Sequence, residues 1–232
     1  AMAVTRDNTI SRDPAWMPGH GAIYYTSYRT GNPFVYRQEL RTGERRIIAG
    51  YAGLNAAPAI SPDGRRLALI LSKSGSPDLF VANSDGTNLK QLTQTREDES
   101  SPCWSPDGRD LCVVSRVSGR AALYLISASG GGALRRLRTE GAINATEPSW
   151  SPDGTAIAFT ASMGGFQICV VPAAGGEAEV LVGGEDPSWA PDSRRLIFTR
   201  RVGGGRVLSL LDVPTKRVKD IRRLSGSCSQ AD

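Results

Sequence analysis

One short stretch of sequence recurs five times and constrains the fold more than any other feature. It reads PSWSPDG from Pro148, and it returns as PAISPDG from Pro58, as PCWSPDG from Pro102, as PSWAPDS from Pro187 and, in a degenerate form, as PAWMPGHG from Pro14. In chain order these prolines are spaced 44, 44, 46 and 39 residues apart. A period of about 40–45 residues, with short strands and glycine-rich turns, is typical of the four-stranded blades of a β-propeller. We therefore predict an all-β fold, a β-propeller built from four-stranded blades.

The repeat predicts a single propeller domain over residues 1–232. The segment MAVT (2–5) precedes Pro14 as KQLT (90–93) precedes Pro102, so residues 1–13 are expected to supply a strand of an additional or closing blade. The fourth strand of the last unit is expected at Leu224-Ser225, and a further copy would begin at about residue 233, one residue past the end of the chain. Three closures stay open: a five-bladed ring, part of a six-bladed ring, and an assembly closed between chains. The five full repeats are expected at approximately 14–57, 58–101, 102–147, 148–186 and 187–232.

The tryptophans and the Ser-Asp pairs of the repeat both have a structural interpretation. Each of the four tryptophans lies two residues after a repeat proline, and Ile60 takes that place in the second unit. A position filled by a large apolar residue in every unit indicates packing between blades rather than stacking on a ligand. Ser-Pro-Asp-Gly is the composition of a tight turn whose glycine takes a positive φ. The repeated serine and aspartate therefore predict a hinge between two strands, not a catalytic pair.

Few residues of the chain suit catalysis or a cofactor. His20 is the one histidine, G-x-S-x-G is absent, and the GGG stretches lack the Lys-Ser/Thr of a phosphate-binding loop, so we expect no cofactor and no metal site. Acidic pairs such as Glu185-Asp186 and Glu97-Asp98 stay open as a general acid and base. No apolar run approaches the roughly 20 residues that cross a bilayer, and the N-terminal AMAV lacks the pattern of a signal peptide.

The positive charge of the chain has two interpretations. The formal net charge is +5, and the basic residues cluster only in KRVKDIRRL (216–224). Such a run can mark a nucleic-acid patch, and it also protects an exposed edge strand from pairing with other chains. Aromatic residues for base stacking are not interleaved, which favours the edge strand.

Four cysteines form neither a CxxC pair nor a zinc spacing. Cys103 and Cys112 flank one of the tight turns, which suggests a disulfide. A three-residue turn would place Cys103 opposite Leu111 and would turn Cys112 to the other side of the sheet. We therefore expect no bridge between them.

The residues immediately before the repeat prolines lead into the innermost strands, which surround the central channel of a propeller. Three of the five are acidic, which predicts a partly negative funnel for a cation or for a basic segment of a partner. The alternative is that each carboxylate only accepts local backbone N–H bonds. The five residues are Asp13, Ala57, Ser101, Glu147 and Asp186.

Residues 58–108 and NATEPSWSPDGTAIAFTAS (144–162) resemble the TolB propeller family, a periplasmic component of the Tol-Pal system of Gram-negative bacteria. The likeness extends from Pro14 to Leu224, and it implies a non-enzymatic adaptor in the periplasm, with no nucleic acid and no membrane insertion. The implied partner is a Pal-like peptidoglycan-associated lipoprotein that docks on the loops before the repeat prolines. This chain departs from the family at Leu54-Asn55-Ala56-Ala57-Pro58, where the family has His-Asn-Gly-Ala-Pro, and at the serine-rich ESSP (99–102). With the residues before the prolines, the expected partner-binding positions are Asp13, Asn55, Glu99, Ser100, Ser101, Asn144, Thr146, Glu147, Glu185 and Asp186.

Two other functions remain open. The chain could be the propeller of a larger protein such as a prolyl-oligopeptidase-like peptidase. It could also bind a small ligand or a metal in its channel, although a single histidine argues against a metal-dependent lyase.

Overall fold

The computed structural model describes residues 4–5 and 7–221, and this part of the chain consists of strands and turns without a helix. Accordingly, these residues include no helix that could span a bilayer. Five antiparallel four-stranded sheets follow one another, and in each the strands lie side by side in the order of the chain. The predicted β-propeller of four-stranded blades is confirmed.

The strands are numbered in chain order, and the first strand of each blade is its innermost. Blade 1 contains β1 (Ser11–Trp16), β2 (Ala22–Ser27), β3 (Phe34–Glu39) and β4 (Arg45–Ala49), and blade 2 contains β5 (Asn55–Ile60), β6 (Arg66–Leu71), β7 (Asp78–Asn83) and β8 (Lys90–Gln91). Blade 3 contains β9 (Glu99–Trp104), β10 (Asp110–Ser115), β11 (Ala122–Ser127) and β12 (Arg135–Arg136). Blade 4 contains β14 (Thr146–Trp150), β15 (Ala156–Ser162), β16 (Phe166–Pro172) and β18 (Glu179–Gly183), and a short parallel pair links β13 (Thr139–Glu140) to β17 (Gly176–Glu177). Blade 5 contains β19 (Glu185–Trp189), β20 (Arg195–Val202), β21 (Gly205–Asp212) and β22 (Arg217–Asp220).

The hydrophobic core lies between the blades. One cluster of buried side chains joins each consecutive pair of blades; Tyr24 and Leu69, for example, share the cluster between blades 1 and 2. Trp104, Trp150 and Trp189 each lie in the cluster that joins their blade to the preceding one. Three of the four repeat tryptophans therefore pack between blades, as predicted.

Two blade faces differ from these interfaces, namely the face of blade 1 that points away from blade 2 and the face of blade 5 that points away from blade 4. No hydrophobic cluster of the described residues joins blade 5 to blade 1. On the outer side of blade 1, Tyr25 and Tyr36 form their own cluster, against which Val4 packs. Val4 packs against this cluster as Leu92 packs against the cluster between blades 2 and 3, and each lies ten residues before a repeat proline. The route by which the ring closes and the blade limits stay predictions.

The last blade corrects one strand assignment and supports another. The fourth strand of blade 5 is β22, at Arg217–Asp220, so the prediction at Leu224-Ser225, which lies outside the described residues, was wrong. The chain returns early because Asp212 accepts hydrogen bonds from the backbone N–H and the hydroxyl of Thr215 and closes a tight turn. The basic run thus enters the outer edge strand of the blade, as the edge-strand interpretation predicted.

Each Ser-Pro-Asp-Gly stretch is a turn that is held by its own side chains. In blade 3, Ser105 Oγ donates to Asp107 Oδ1 at 2.7 Å, and the same carboxylate oxygen accepts the Arg109 N–H. Gly108 has a φ of 69°. These hydrogen bonds, first the one from Ser105, hold the pKa of Asp107 below its ordinary value. The same bonds recur at Ser61 and Ser151, so the repeated serine and aspartate fix the turn between the first and second strands, as predicted.

The predicted pairing of Cys103 with Leu111 was wrong by one residue. Leu111 pairs with Trp104, and Cys112 lies directly opposite Cys103. The turn is one residue longer than expected because Ser105 Oγ, in place of a backbone carbonyl, accepts the Asp110 N–H. Cys103, Cys112 and Cys169 are free thiols, and Cys228 lies outside the described residues.

Candidate functional site

The five positions before the repeat prolines share an unusual backbone conformation. The innermost strands begin up to three residues before these prolines, and in each of them the pairing with the second strand shifts at the proline. In blade 4, for example, Thr146 pairs with Thr160 and Ser149 with Ala158, so the two residues between them form a bulge. A left-handed φ is uncommon outside glycine, and its occurrence in all five blades marks a common structural device. The φ angles are 54° at Asp13, 51° at Ala57, 49° at Ser101, 53° at Glu147 and 56° at Asp186.

In blade 4 this bulge connects two innermost strands. Thr160 Oγ1 donates to Glu147 Oε2 at 2.6 Å. The backbone N–H of Asp186, at the same position in blade 5, donates to Glu147 Oε2 at 3.0 Å and lies 3.2 Å from Thr160 Oγ1. A carboxylate, a hydroxyl and an N–H of the next blade therefore form one network, which we call the bulge triad.

Blade 1 contains the same arrangement. Thr26 Oγ1 donates to Asp13 Oδ2 at 2.9 Å and accepts the backbone N–H of Ala57 at 3.1 Å. Asp13 thus accepts a hydrogen bond from the Thr26 hydroxyl, and Glu147 accepts hydrogen bonds from the Thr160 hydroxyl and from the backbone of the next blade. The described residues contain no group of three histidine, cysteine or acidic side chains that could hold a metal ion.

Blade 5 has the hydroxyl of the triad, but no described residue supplies the N–H of a next blade. Thr199 is equivalent to Thr160, and it is fully buried. Its Oγ1 makes no hydrogen bond to any described residue. In blades 1 and 4 the equivalent hydroxyl accepts a backbone N–H of the next blade. The face of blade 5 that points away from blade 4 therefore carries a hydroxyl, that of Thr199, without this bond to a described residue.

Two of the predicted partner-binding residues are buried, and their side chains form hydrogen bonds with the neighbouring chain segments. Asn55 is inaccessible, and its side chain bonds the backbone N–H and carbonyl of Tyr51 and the carbonyl of Gly53. Glu99 accepts hydrogen bonds from Thr95 and Ser115. Both residues shape the connections that lead into the innermost strands.

Glu99 also belongs to a buried pair of carboxyl groups. Thr93 Oγ1 lies 2.9 Å from Glu99 Oε2 and 3.2 Å from Asp78 Oδ1, and Asp78 and Glu99 are each 1% exposed. A hydroxyl has one proton, so Thr93 cannot donate to both groups at once. Burial raises the pKa of Glu99, and the neighbouring Asp78 raises it further, whereas hydrogen bonds from Ser115, Thr95 and Thr93 oppose the rise.

We expect a Glu99→Gln variant to gain melting temperature relative to the wild type as the pH rises from about 4 to about 7. A carboxyl group with a raised pKa contributes stability that is full below its ordinary value of 4.5 and is lost as the pH rises through the raised pKa. Glutamine stays neutral and avoids that loss. Thermal unfolding followed by circular dichroism over this pH range measures the difference. The control is Glu97→Gln, an exposed position nearby, and an equal gain there would contradict the assignment to Glu99.

The other predicted positions surround the same end of the propeller. This end, where the innermost strands begin, is called the mouth end, and the opposite end, where the Ser-Pro-Asp-Gly turns lie, the turn end. Ser100 and Asn144 are exposed there, whereas Ser101 and Thr146 are half-buried. Glu185 forms an ion pair with Arg206 at 2.9 Å.

Sequence reasoning missed a set of exposed apolar side chains at the mouth end. Because the second strand of each blade runs back towards this end, the turn to the third strand lies beside the innermost strands. Val117 and Met163 lie in these turns in blades 3 and 4, and Val202 ends the second strand of blade 5. Each lies one or two residues before a glycine, and they are 44%, 38% and 42% exposed. Phe166 and Ile143, 55% and 49% exposed, adjoin the turn of blade 4. An apolar residue repeated in glycine-containing turns is the signal that could have identified them.

A small cavity lies at the mouth end beside Asn144. Arg120, Thr139 and Ile143 also line it, and its volume is about 90 Å³. Sites for small organic ligands enclose about 300–1,000 Å³. This cavity suits a water molecule or part of a side chain.

One of the solved structures with a similar fold is an enzyme. A puromycin-hydrolyzing peptidase of Mycobacterium tuberculosis is 19% identical, with a TM-score of 0.69 over 94% of this chain and 38% of that chain. At this identity the likeness shows the fold alone.

Closer similarity is found to TolB proteins. Over 89 residues the chain is 38% identical to the Tol-Pal system protein TolB of Francisella tularensis subsp. tularensis (strain WY96-3418), which covers 38% of this chain and 20% of that protein. The crystal structure of TolB from Acinetobacter baumannii is 26% identical, with a TM-score of 0.85, and covers 94% of this chain and 55% of that chain. This chain thus spans little more than half of that TolB. The family model "TolB beta propeller domain" matches residues 1–232, so the chain belongs to the TolB β-propeller domain family.

Proposed function

We propose that this propeller is a non-enzymatic adaptor of the periplasm that binds a protein partner, a Pal-like peptidoglycan-associated lipoprotein, across its mouth end. The observation that carries the proposal is the composition of that surface. Exposed apolar side chains, among them Phe166, Met163 and Val117, adjoin exposed polar positions such as Ser100 and Asn144. Specific protein interfaces combine an apolar centre with a polar rim, and exposed apolar groups of this kind favour a protein partner.

The engagement of the acidic residues also supports binding rather than catalysis. Glu147 and Asp13 accept hydrogen bonds within the bulge triads, and Glu185 is paired with Arg206. Carboxylates held in this way stiffen the innermost strands on which the surface is built. The relatives named as Tol-Pal system proteins make a component of that system the natural partner to test.

The test is a binding titration of the whole chain with the Pal-like lipoprotein of the same organism. Ser100→Arg and Phe166→Ser change the mouth end and leave the residues of the bulge triads as they are. Each is expected to raise the dissociation constant about tenfold or more, as loss of a strong interface contact does. The matched controls lie away from the mouth end. They are Ser129→Arg on the turn end and Ile47→Ser on an outer strand, where the side chain is 53% exposed.

Two outcomes would contradict different parts of the proposal. If the wild type does not bind the lipoprotein, this partner is rejected. If the wild type binds and the two mouth-end variants bind as tightly as the controls, the partner stands and the mouth end is rejected. Thermal unfolding of every variant establishes that lost binding is not lost folding.

A further inference from the structure

Cys103 and Cys112 lie directly opposite each other on neighbouring antiparallel strands, β9 and β10. Directly opposed residues point to the same face of a sheet. Ser105, the residue after the end of β9, donates its backbone N–H to the carbonyl of Asp110. Because pair types alternate along the ladder, Cys103 and Cys112 form a hydrogen-bonded type of pair. Such pairs have Cα atoms about 5.5 Å apart, within the 4.4–6.8 Å that a disulfide requires.

The backbone beside Cys103 can make the remaining adjustment. In a hydrogen-bonded pair the opposed Cβ atoms lie towards the longer end of the roughly 4.5–5.5 Å found in sheets, and a disulfide needs about 3.5–4.5 Å, so the two Cβ atoms must approach each other by about 1 Å. The regular pairing with β10 is interrupted next to Cys103, because Pro102 has no N–H and Ser101 is the left-handed residue of the bulge. Fewer hydrogen bonds between β9 and β10 therefore oppose this approach than in a regular ladder.

The two thiols differ in access. Cys112 is fully buried among the side chains between blades 3 and 4, and Cys103 is half-buried at the border of the same cluster. A small reagent thus reaches Cys103 first. Burial, and then the adjacent Cys103, raises the pKa of Cys112, which further keeps it from reacting first.

We propose that Cys103 and Cys112 are a disulfide-forming site that reacts by exchange with a low-molecular-weight disulfide such as oxidised glutathione. The Cys103 thiolate attacks one sulfur of the reagent, which forms a mixed disulfide and releases one glutathione thiolate. Cys112 loses its proton and attacks the sulfur of Cys103, which forms the internal bond and releases the second glutathione. The two cysteines lose two electrons and two protons, and the reagent is reduced to two thiols.

The bond would connect the innermost strand of blade 3 to its second strand next to the bulge that carries Ser101. Cys169, the third described cysteine, lies in the same cluster but opposite Val180 and Phe159, so it has no cysteine to pair with directly. Burial raises the pKa of Cys169 to about 11. The structure thus selects one pair of thiols among the described cysteines.

The experiment treats the reduced, folded chain with oxidised glutathione, blocks the remaining thiols with iodoacetamide in denaturant, and maps the peptides by mass spectrometry. The wild type is expected to yield a Cys103–Cys112 linked peptide that dithiothreitol separates. Cys112→Ala is expected to keep glutathione on Cys103, because the second exchange cannot occur. Cys169→Ala is the control and should form the same linked peptide as the wild type.

The wild type alone decides the proposal if a variant fails to fold. Recovery of Cys103 and Cys112 as two alkylated peptides after treatment of the folded chain would overturn it. A link that forms only when denaturant accompanies the glutathione would overturn it equally, because the folded register would then not bring the sulfurs together.

Discussion

Replacing Trp104 with alanine is expected to lower the free energy of unfolding by about 3–5 kcal/mol, as loss of a large buried aromatic side chain does. Trp104 is 7% exposed and packs between blades 2 and 3. Its Nε1 donates to the carbonyl of Ala59 at 2.8 Å, and the Arg66 guanidinium lies 4.7 Å from its ring centroid. Urea denaturation followed by circular dichroism, which does not depend on the removed tryptophan, measures the loss.

The matched variant is Trp16→Ala, at the same position of the first repeat. Trp16 is 36% exposed, and its ring meets the edge of His20 with the centroids 5.9 Å apart. We expect this variant to lose clearly less than the Trp104 variant, because about a third of the Trp16 side chain is in water whereas Trp104 is almost fully covered. An equal loss in the two variants would show that Trp16 is covered as Trp104 is, and hence that another blade packs against blade 1.

Thr160→Val is expected to lower the free energy of unfolding by about 1–3 kcal/mol, whereas Thr199→Val is expected to be neutral or stabilising. Valine has nearly the shape of threonine, so the substitution mainly removes the hydroxyl. At position 160 the hydroxyl bonds the carboxylate of Glu147 and accepts from Asp186, and both would lose a partner. At position 199 the hydroxyl is buried without a hydrogen bond to any described residue, so its removal saves a desolvation cost.

The two threonine variants are compared by urea denaturation at neutral pH. Similar losses in both variants would contradict the expectation for Thr199. That outcome would mean that a strand beside blade 5 donates to Thr199 as the Asp186 N–H does to Thr160. The Trp16 and Thr199 variants thus examine the two outer blade faces independently.

Local patterns predicted the parts of this fold that depend on local chemistry. The proline period identified the blades, the tryptophan position identified the packing between them, and Ser-Pro-Asp-Gly identified the hinges. The register of Cys103 was missed by one residue, because Ser105 Oγ replaces a backbone carbonyl as the acceptor and lengthens the turn. The last strand was misplaced because Asp212 closes an early turn onto Thr215. Both errors arise from single side-chain hydrogen bonds that residue types alone do not specify.

The candidate site was predictable in position but not in the state of its residues. Sequence reasoning placed Glu147 and Asn55 at the start of innermost strands, where the structure also has them. It could not distinguish Asn55, whose side chain is enclosed by its own loop, from Ser100, which is exposed. Exposure is decided by the neighbouring strands and loops, so it is a property of the assembled blades.

The sequence by itself determined that this chain folds into repeated four-stranded blades, because the repeat encodes turns and apolar strands that act within about 45 residues. Only the tertiary structure decided what the residues before the prolines do. In blade 4 the carboxylate of Glu147 accepts the backbone N–H of Asp186, 39 positions further along, and in blade 1 Thr26, which donates to Asp13, accepts the backbone N–H of Ala57, 31 positions further along. Such bonds require two blades to be in place, so they follow from the arrangement of the repeats rather than from the repeat itself.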